Sequence, residues 1–220
     1  MEKKIKGNIL AAGCLLAAFV LWTIGVCIID VQAIGPQGSA VGFAELNGFV
    51  HNLIGVHLAL YTITDWLGLV PVGFMVGFAT LGAIQWIKRK HIKNVDLSIL
   101  ILGGFYIIMT AVYILFEYVV INRRPVLLNG YLEASYPSST TLLTLCVMVT
   151  GIMQLKGRIR NKTLRSCICD ILAGFTVFMV ICRLLSGVHW FTDIVGGLLL
   201  SAGLVLIYRW FWLVTIEEKM

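Results

Sequence analysis

The stretch CRLLSGVHWFTD, Cys182 to Asp193, places an arginine, a histidine and an aspartate between two apolar runs. The chain has 4 histidines and is only 13% charged, so this grouping asks for a reason. His189 and Asp193 are four apart, and share a face if the last helix begins before His189. A carboxylate there can hold one ring nitrogen and raise the basicity of the other, making the histidine a nucleophile or a base. Arg183 can grip an oxyanion through charge-assisted, forked hydrogen bonds, as can Arg124 in EYVVINRRPVL. A third stretch, ASYPSSTT, reads as a helix start. Pro137 suits a first turn, and the N–H groups after it, with the hydroxyls of Ser138 and Ser139, form an anion site.

These parts together suit phosphoryl transfer. Two arginines and a helix N-terminus hold a phosphate, His189 attacks phosphorus, and water hydrolyses the phosphohistidine. The arginines neutralise the charge that develops in the transition state, so no cofactor and no metal is needed. No carboxylate cluster or multi-histidine spacing offers a metal site. His51 and His57 read as interfacial polar residues, and His91 belongs to a basic loop. Singly, each part has a plainer reading. An arginine at a helix end anchors it or contacts a headgroup, Pro-Ser-Ser starts a helix, and His-x-x-x-Asp recurs by chance. The chemical reading rests on their joint occurrence.

The elements that must position them are membrane helices. The chain has 220 residues and is 59% hydrophobic, against about 45–50% for soluble domains, which are also about 25% charged. This composition implies an all-α, polytopic membrane protein forming one domain over 1–220. Six apolar runs have spanning length: Ile9–Ile29, Leu67–Ile87, Leu97–Ile121, Thr140–Leu155, Cys167–Leu185 and Asp193–Val214. Between the first two, Phe43 to Tyr61 reads as a helix lying at the interface. The first run is longer than the core of a signal peptide and is expected to stay as a helix. The six cysteines read as small packing residues with no disulfide framework. Gly73 and Gly77, Gly103–Gly104 and Gly196–Gly197 read as sites of close helix packing.

The net charge of +6 does not indicate nucleic acid, because the basic residues cluster between apolar runs. They set orientation instead. With both termini cytoplasmic, only Arg123, Arg124 and Arg183 of the 17 lysines and arginines fall outside. The same topology puts all three polar stretches on the outer face.

Their order and spacing resemble the type-2 phosphatidic acid phosphatase superfamily, membrane relatives of the vanadium haloperoxidases. Its pattern is K-x6-R-P, then P-S-G-H, then S-R-x5-H-x3-D; this chain keeps Arg124-Pro125, Pro137-Ser138, and Arg183, His189 and Asp193, with Cys182 for the serine. The resemblance implies that His189 is the nucleophile and Asp193 its orienting partner. Arg124, Arg183 and Ser138 would bind phosphate, with Ser139 at the glycine position. It also exposes two departures. Glu117 stands at the lysine position, where Arg123 is a candidate substitute. A membrane-end carboxyl of this kind is expected to be functional or paired. Thr140 stands at the position of the general-acid histidine, and its hydroxyl is a poor acid. A phosphate leaving from a pyrophosphate needs that proton less than a lipid alkoxide does. The implied function is therefore a lipid phosphate or pyrophosphate phosphatase of the cell membrane. Its substrate would be an isoprenoid pyrophosphate of the undecaprenyl type used in cell-wall synthesis, and its partners are the surrounding membrane lipids. The alternative is an impaired or inactive relative that binds or transports a lipid phosphate. The oligomeric state stays open.

Overall fold

The structure is a computed structural model that describes residues 2–217, with side chains described for 5–215. Lys219, one of the basic residues used for orientation, lies outside the described residues, as do the side chains of Lys3 and Lys4. The helices are α1 (Glu2–Ile28), α2 (Ala44–Ile54), α3 (Leu58–Leu67), α4 (Leu69–Arg89), α5 (Leu97–Tyr118), α6 (Ser139–Arg158), α7 (Lys162–Leu185) and α8 (Phe191–Glu217). Six stretches are long and apolar enough to cross a membrane, with α3 and α4 forming one of them. The six expected spans are therefore present, most with boundaries shifted by a few residues; the second begins at Leu58, nine residues before the expected Leu67, and takes in the end of the expected interfacial helix.

The stretch from Phe43 to Tyr61 is two helices, not one. It is interrupted at Gly55–His57, where the backbone turns to meet the loop after α7, and His57 N–H donates to Ser186 O at 2.9 Å. Gly187 makes this approach possible: its φ is +68°, and a Cβ there would lie 2.0 Å from Gly55 O.

The most buried span is α8, which packs against α1 and α6 and, less extensively, α5. Its apolar residues point all round, as a central helix requires. The basic ends of α4 and α6 meet the start of α5: Arg89 pairs with Asp96 at 2.9 Å, and Arg158 bonds Ser98 Oγ at 3.1 Å. The opposite end of the bundle gathers the C-terminal ends of α5 and α7 and the N-terminal ends of α6 and α8. The three polar stretches of the sequence all lie there.

The glycines divide. A Cβ on Gly196 would lie 2.6 Å from the Tyr136 ring, and one on Gly197 3.2 Å from Ser138 O. That pair lets α8 close onto the segment before α6. Gly73, Gly77, Gly103 and Gly104 have no such neighbour within 4 Å. The expected close packing is absent there because α4 and α5 part into an apolar groove lined by Gly103 and Gly104.

Candidate active site

His189 lies in the short link between α7 and α8 and is only 3% exposed. The last helix begins at Phe191, after His189, so the pair does not share a helix as expected. Asp193 instead folds back: its Oδ2 accepts the Trp190 N–H at 2.9 Å, as the acid of a capping box does at a helix start. The same oxygen lies 3.5 Å from His189 Nδ1. The main-chain carbonyl of Ser135 is closer to that nitrogen, at 3.1 Å.

On the other side of the ring, Arg124 NH1 is 3.0 Å from Nε2. A guanidinium only donates, so Nε2 accepts and the ring proton resides on Nδ1. Burial, with Arg124 and then Arg183 nearby, holds the His189 pKa well below its ordinary value. The imidazole is thus neutral, with its Nε2 lone pair directed at a cation. That is the state in which a histidine attacks an electrophile.

Arg124 is placed by a hairpin. Arg124 N–H donates to Glu133 O at 3.1 Å, and Ser135 N–H to Asn122 O at 3.0 Å, across a tight turn at Asn129–Gly130, both with positive φ. The Arg124 side chain also bonds Glu133 Oε2 through Nε at 3.0 Å. Arg123, its neighbour, turns to Leu132 O at 3.0 Å and away from His189.

Ser138 is fully buried at the start of α6, and its N–H donates to Asp193 O at 3.0 Å. Its hydroxyl accepts from Thr141 Oγ1 at 3.0 Å. Helix α6 therefore starts directly against Asp193, and its first-turn N–H groups lack intrahelical acceptors. Arg183 is buried against α3, with NH1 3.3 Å from Thr64 Oγ1 and its guanidinium 4.9 Å from the centre of the Tyr61 ring. Its Nε is buried with no hydrogen-bond partner among the described residues.

A small cavity opens beside His189, and its wall includes Tyr113, Glu117, Ser135, Tyr136 and Ser139. Thr140 is half-buried and is not among the described residues of that wall. Two groups near His189 were not anticipated. One is the Ser135 carbonyl, which no side-chain pattern reveals. The other is a buried network in which Asn47 bonds Thr192 at 3.0 Å and Asn122 reaches Thr192 at 3.5 Å, fixing the start of α8. Among the described residues, no group of histidine, cysteine, aspartate and glutamate is arranged to hold a metal ion.

Residues 72–216 match the PAP2 superfamily, which is most of the chain and contains Glu117, Arg124, Ser138, Arg183, His189 and Asp193. The protein belongs to the PAP2 superfamily. A PAP2-type phosphatidylglycerolphosphate phosphatase from Bacillus subtilis, solved as a crystal structure, has the same fold. It aligns with a TM-score of 0.57 at 20% identity, covering 95% of this chain and 96% of that one. Comparison with curated protein sequences gives no match. The chain thus has the fold of PAP2-type membrane lipid phosphatases, and its six apolar spans make it a multi-pass membrane protein.

Proposed function

We propose that this PAP2 protein hydrolyses a lipid phosphate or pyrophosphate through a phosphohistidine on His189, at the extracytoplasmic face. One observation carries the reading: His189 presents an unprotonated Nε2 to Arg124 at 3.0 Å, while Nδ1 is held by Ser135 O at 3.1 Å. A bound phosphate replaces the Arg124–His189 bond, taking the guanidinium as its clamp and Nε2 as its attacker. First-turn N–H groups of α6 and the Ser139 hydroxyl face the same charge. Asp193 balances the positive charge that the ring gains on phosphorylation. Arg183 acts through its field and its unpaired Nε. The outward face follows from the basic residues at the other end of the bundle.

With Thr140 alone at the acid position, a weakly basic leaving group is favoured, which points to an isoprenoid pyrophosphate. The test is phosphate release from polyprenyl pyrophosphate and from phosphatidate by the purified protein. The chain is expected to release phosphate and His189→Ala to release none. Release that survives His189→Ala overturns the nucleophile. The second reading, an impaired relative that binds a lipid phosphate, draws on the absence of Thr140 from the cavity wall. Silence of the chain with release by Thr140→His selects it.

A further inference from the structure

We propose that Glu117 is the catalytic acid and base of this site, donating a proton to the leaving group and then taking one from the attacking water. This role rests on the phosphatase reading above. Glu117 lies in the last turn of α5 and shares the wall of the cavity with His189 and Ser139. Tyr113, one turn earlier on the same helix face, lines the same wall.

Position matches the requirement of the reaction. In an in-line displacement, the leaving oxygen lies on the side of phosphorus away from the nucleophile. His189 is the deep end of the cavity, at 3% exposure, whereas Glu117 is exposed. The acid is needed at the mouth, where the lipid portion of the substrate remains. Thr140, the residue at the acid position of the sequence pattern, is not on this wall. Of the other wall residues, Tyr113 and Tyr136 are phenols, ordinarily weak acids, and Tyr136 is committed to Thr23 at 2.7 Å.

A carboxylate beside a phosphate dianion is repulsive, and like charges brought into one pocket share a proton instead. The proton for the leaving oxygen arrives with the substrate, bound as its monoanion, and is shared between the phosphate and the Glu117 carboxyl. In the first step, the Nε2 lone pair of His189 forms the P–N bond. The P–O bond to the leaving group breaks, its electron pair stays on the leaving oxygen, and the Glu117 proton goes to that oxygen. In the second step, water attacks phosphorus and passes its proton to the Glu117 carboxylate. The P–N bond breaks, its pair returns to Nε2, and inorganic phosphate departs. With an acid at the mouth, phosphate monoesters with alcohol leaving groups come within range, beside pyrophosphates.

The experiment compares a long-chain alkyl phosphate with 4-nitrophenyl phosphate, whose leaving group needs no proton, in the unaltered protein, Glu117→Gln, Glu117→Asp and His189→Ala. The unaltered protein turns over both. Glu117→Gln is expected to lose about 10²–10⁴-fold on the alkyl phosphate. On nitrophenyl phosphate it keeps a rapid, stoichiometric burst of nitrophenolate and then stalls as phosphohistidine. That burst shows that the variant is folded. Glu117→Asp restores alkyl phosphate turnover toward the unaltered rate. Alkyl phosphate turnover unchanged in Glu117→Gln overturns the role. So does loss of the burst together with turnover, or Glu117→Asp behaving no better than Glu117→Gln. No release of either leaving group by an unaltered protein that does hydrolyse polyprenyl pyrophosphate overturns the Glu117 role alone; silence on all three substrates, with no label on His189, instead overturns the phosphatase reading itself.

Discussion

The Ser135 carbonyl lies 3.1 Å from His189 Nδ1, while the Asp193 carboxylate lies 3.5 Å away. The ring is therefore fixed from two sources, and the tautomer is fixed a third time by Arg124 on Nε2. Replacing the carboxylate should weaken the site without scrambling it. Asp193→Asn keeps an oxygen for the Trp190 N–H and loses only the charge. Loss of that charge beside the ring is expected to cost about 10- to 100-fold in kcat/KM, about 1.4–2.7 kcal/mol. His189→Ala should lose all turnover. Kinetics of the two variants on one substrate check this, and equal losses would show that the carboxylate alone sets the histidine.

Arg124 bonds Glu133 and His189 at once, each at 3.0 Å. Glu133 is 45% exposed, so it holds only part of the guanidinium's charge. An incoming phosphate competes with it. Glu133→Gln is expected to tighten orthovanadate inhibition a few-fold. Arg124→Lys, which has no fork, should weaken it by about tenfold or more. Inhibition constants for the two variants measure both effects.

The neutral state of His189 gives stability a pH dependence. Its folded pKa is depressed far below the unfolded value, about 6.5. Above that value neither state binds the proton. Below it the unfolded chain does and the native one does not, so stability falls as pH drops from about 6.5 toward the folded pKa. His51, half-buried against Trp190, is shifted the same way by burial and adds to the slope. Asp30 and Asp96 are depressed carboxylates and act only lower, below about pH 4. Thermal unfolding in detergent between pH 7 and pH 5 should show a falling midpoint, and His189→Asn should flatten it.

Five of the six spans were legible because their apolar runs are long enough to cross a membrane; the fourth run, Thr140–Leu155, is short, and the structure extends it to Ser139–Arg158. The three polar stretches were legible because charge is rare in this chain. Two things were not. The Ser135 carbonyl is main chain, and its approach to His189 depends on the hairpin from Asn122 to Ser135. Asn129–Gly130 is a turn signal that announces this hairpin, and it lies between Arg124 and the start of α6. The second is the division of Phe43–Tyr61. Periodicity continues across Gly55, and only the tertiary contact of His57 with Ser186 reveals the break. Glu117 was visible as a departure, but its place in the cavity wall depends on how α5 ends.

Glycine motifs show the same limit and yield the last prediction. Gly73-x-x-x-Gly77 has the familiar spacing of a packed pair yet meets open space, whereas Gly196 is pressed on the Tyr136 ring. A methyl at Gly196 forces Tyr136 to move, and Tyr136 is tied to Thr23 at 2.7 Å and immediately precedes Pro137 and Ser138. Overpacking of this kind costs about 1–3 kcal/mol. It also pulls the start of α6 away from Asp193. Gly196→Ala should therefore lower both the unfolding midpoint and kcat/KM. Gly77→Ala meets no atom within 4 Å, and removing a helix-interior glycine favours the helix by about 0.5–1 kcal/mol. It should leave activity unchanged and the midpoint equal or higher. Paired thermal and kinetic measurements on the two variants decide whether the α8 contact positions the site or only fills space.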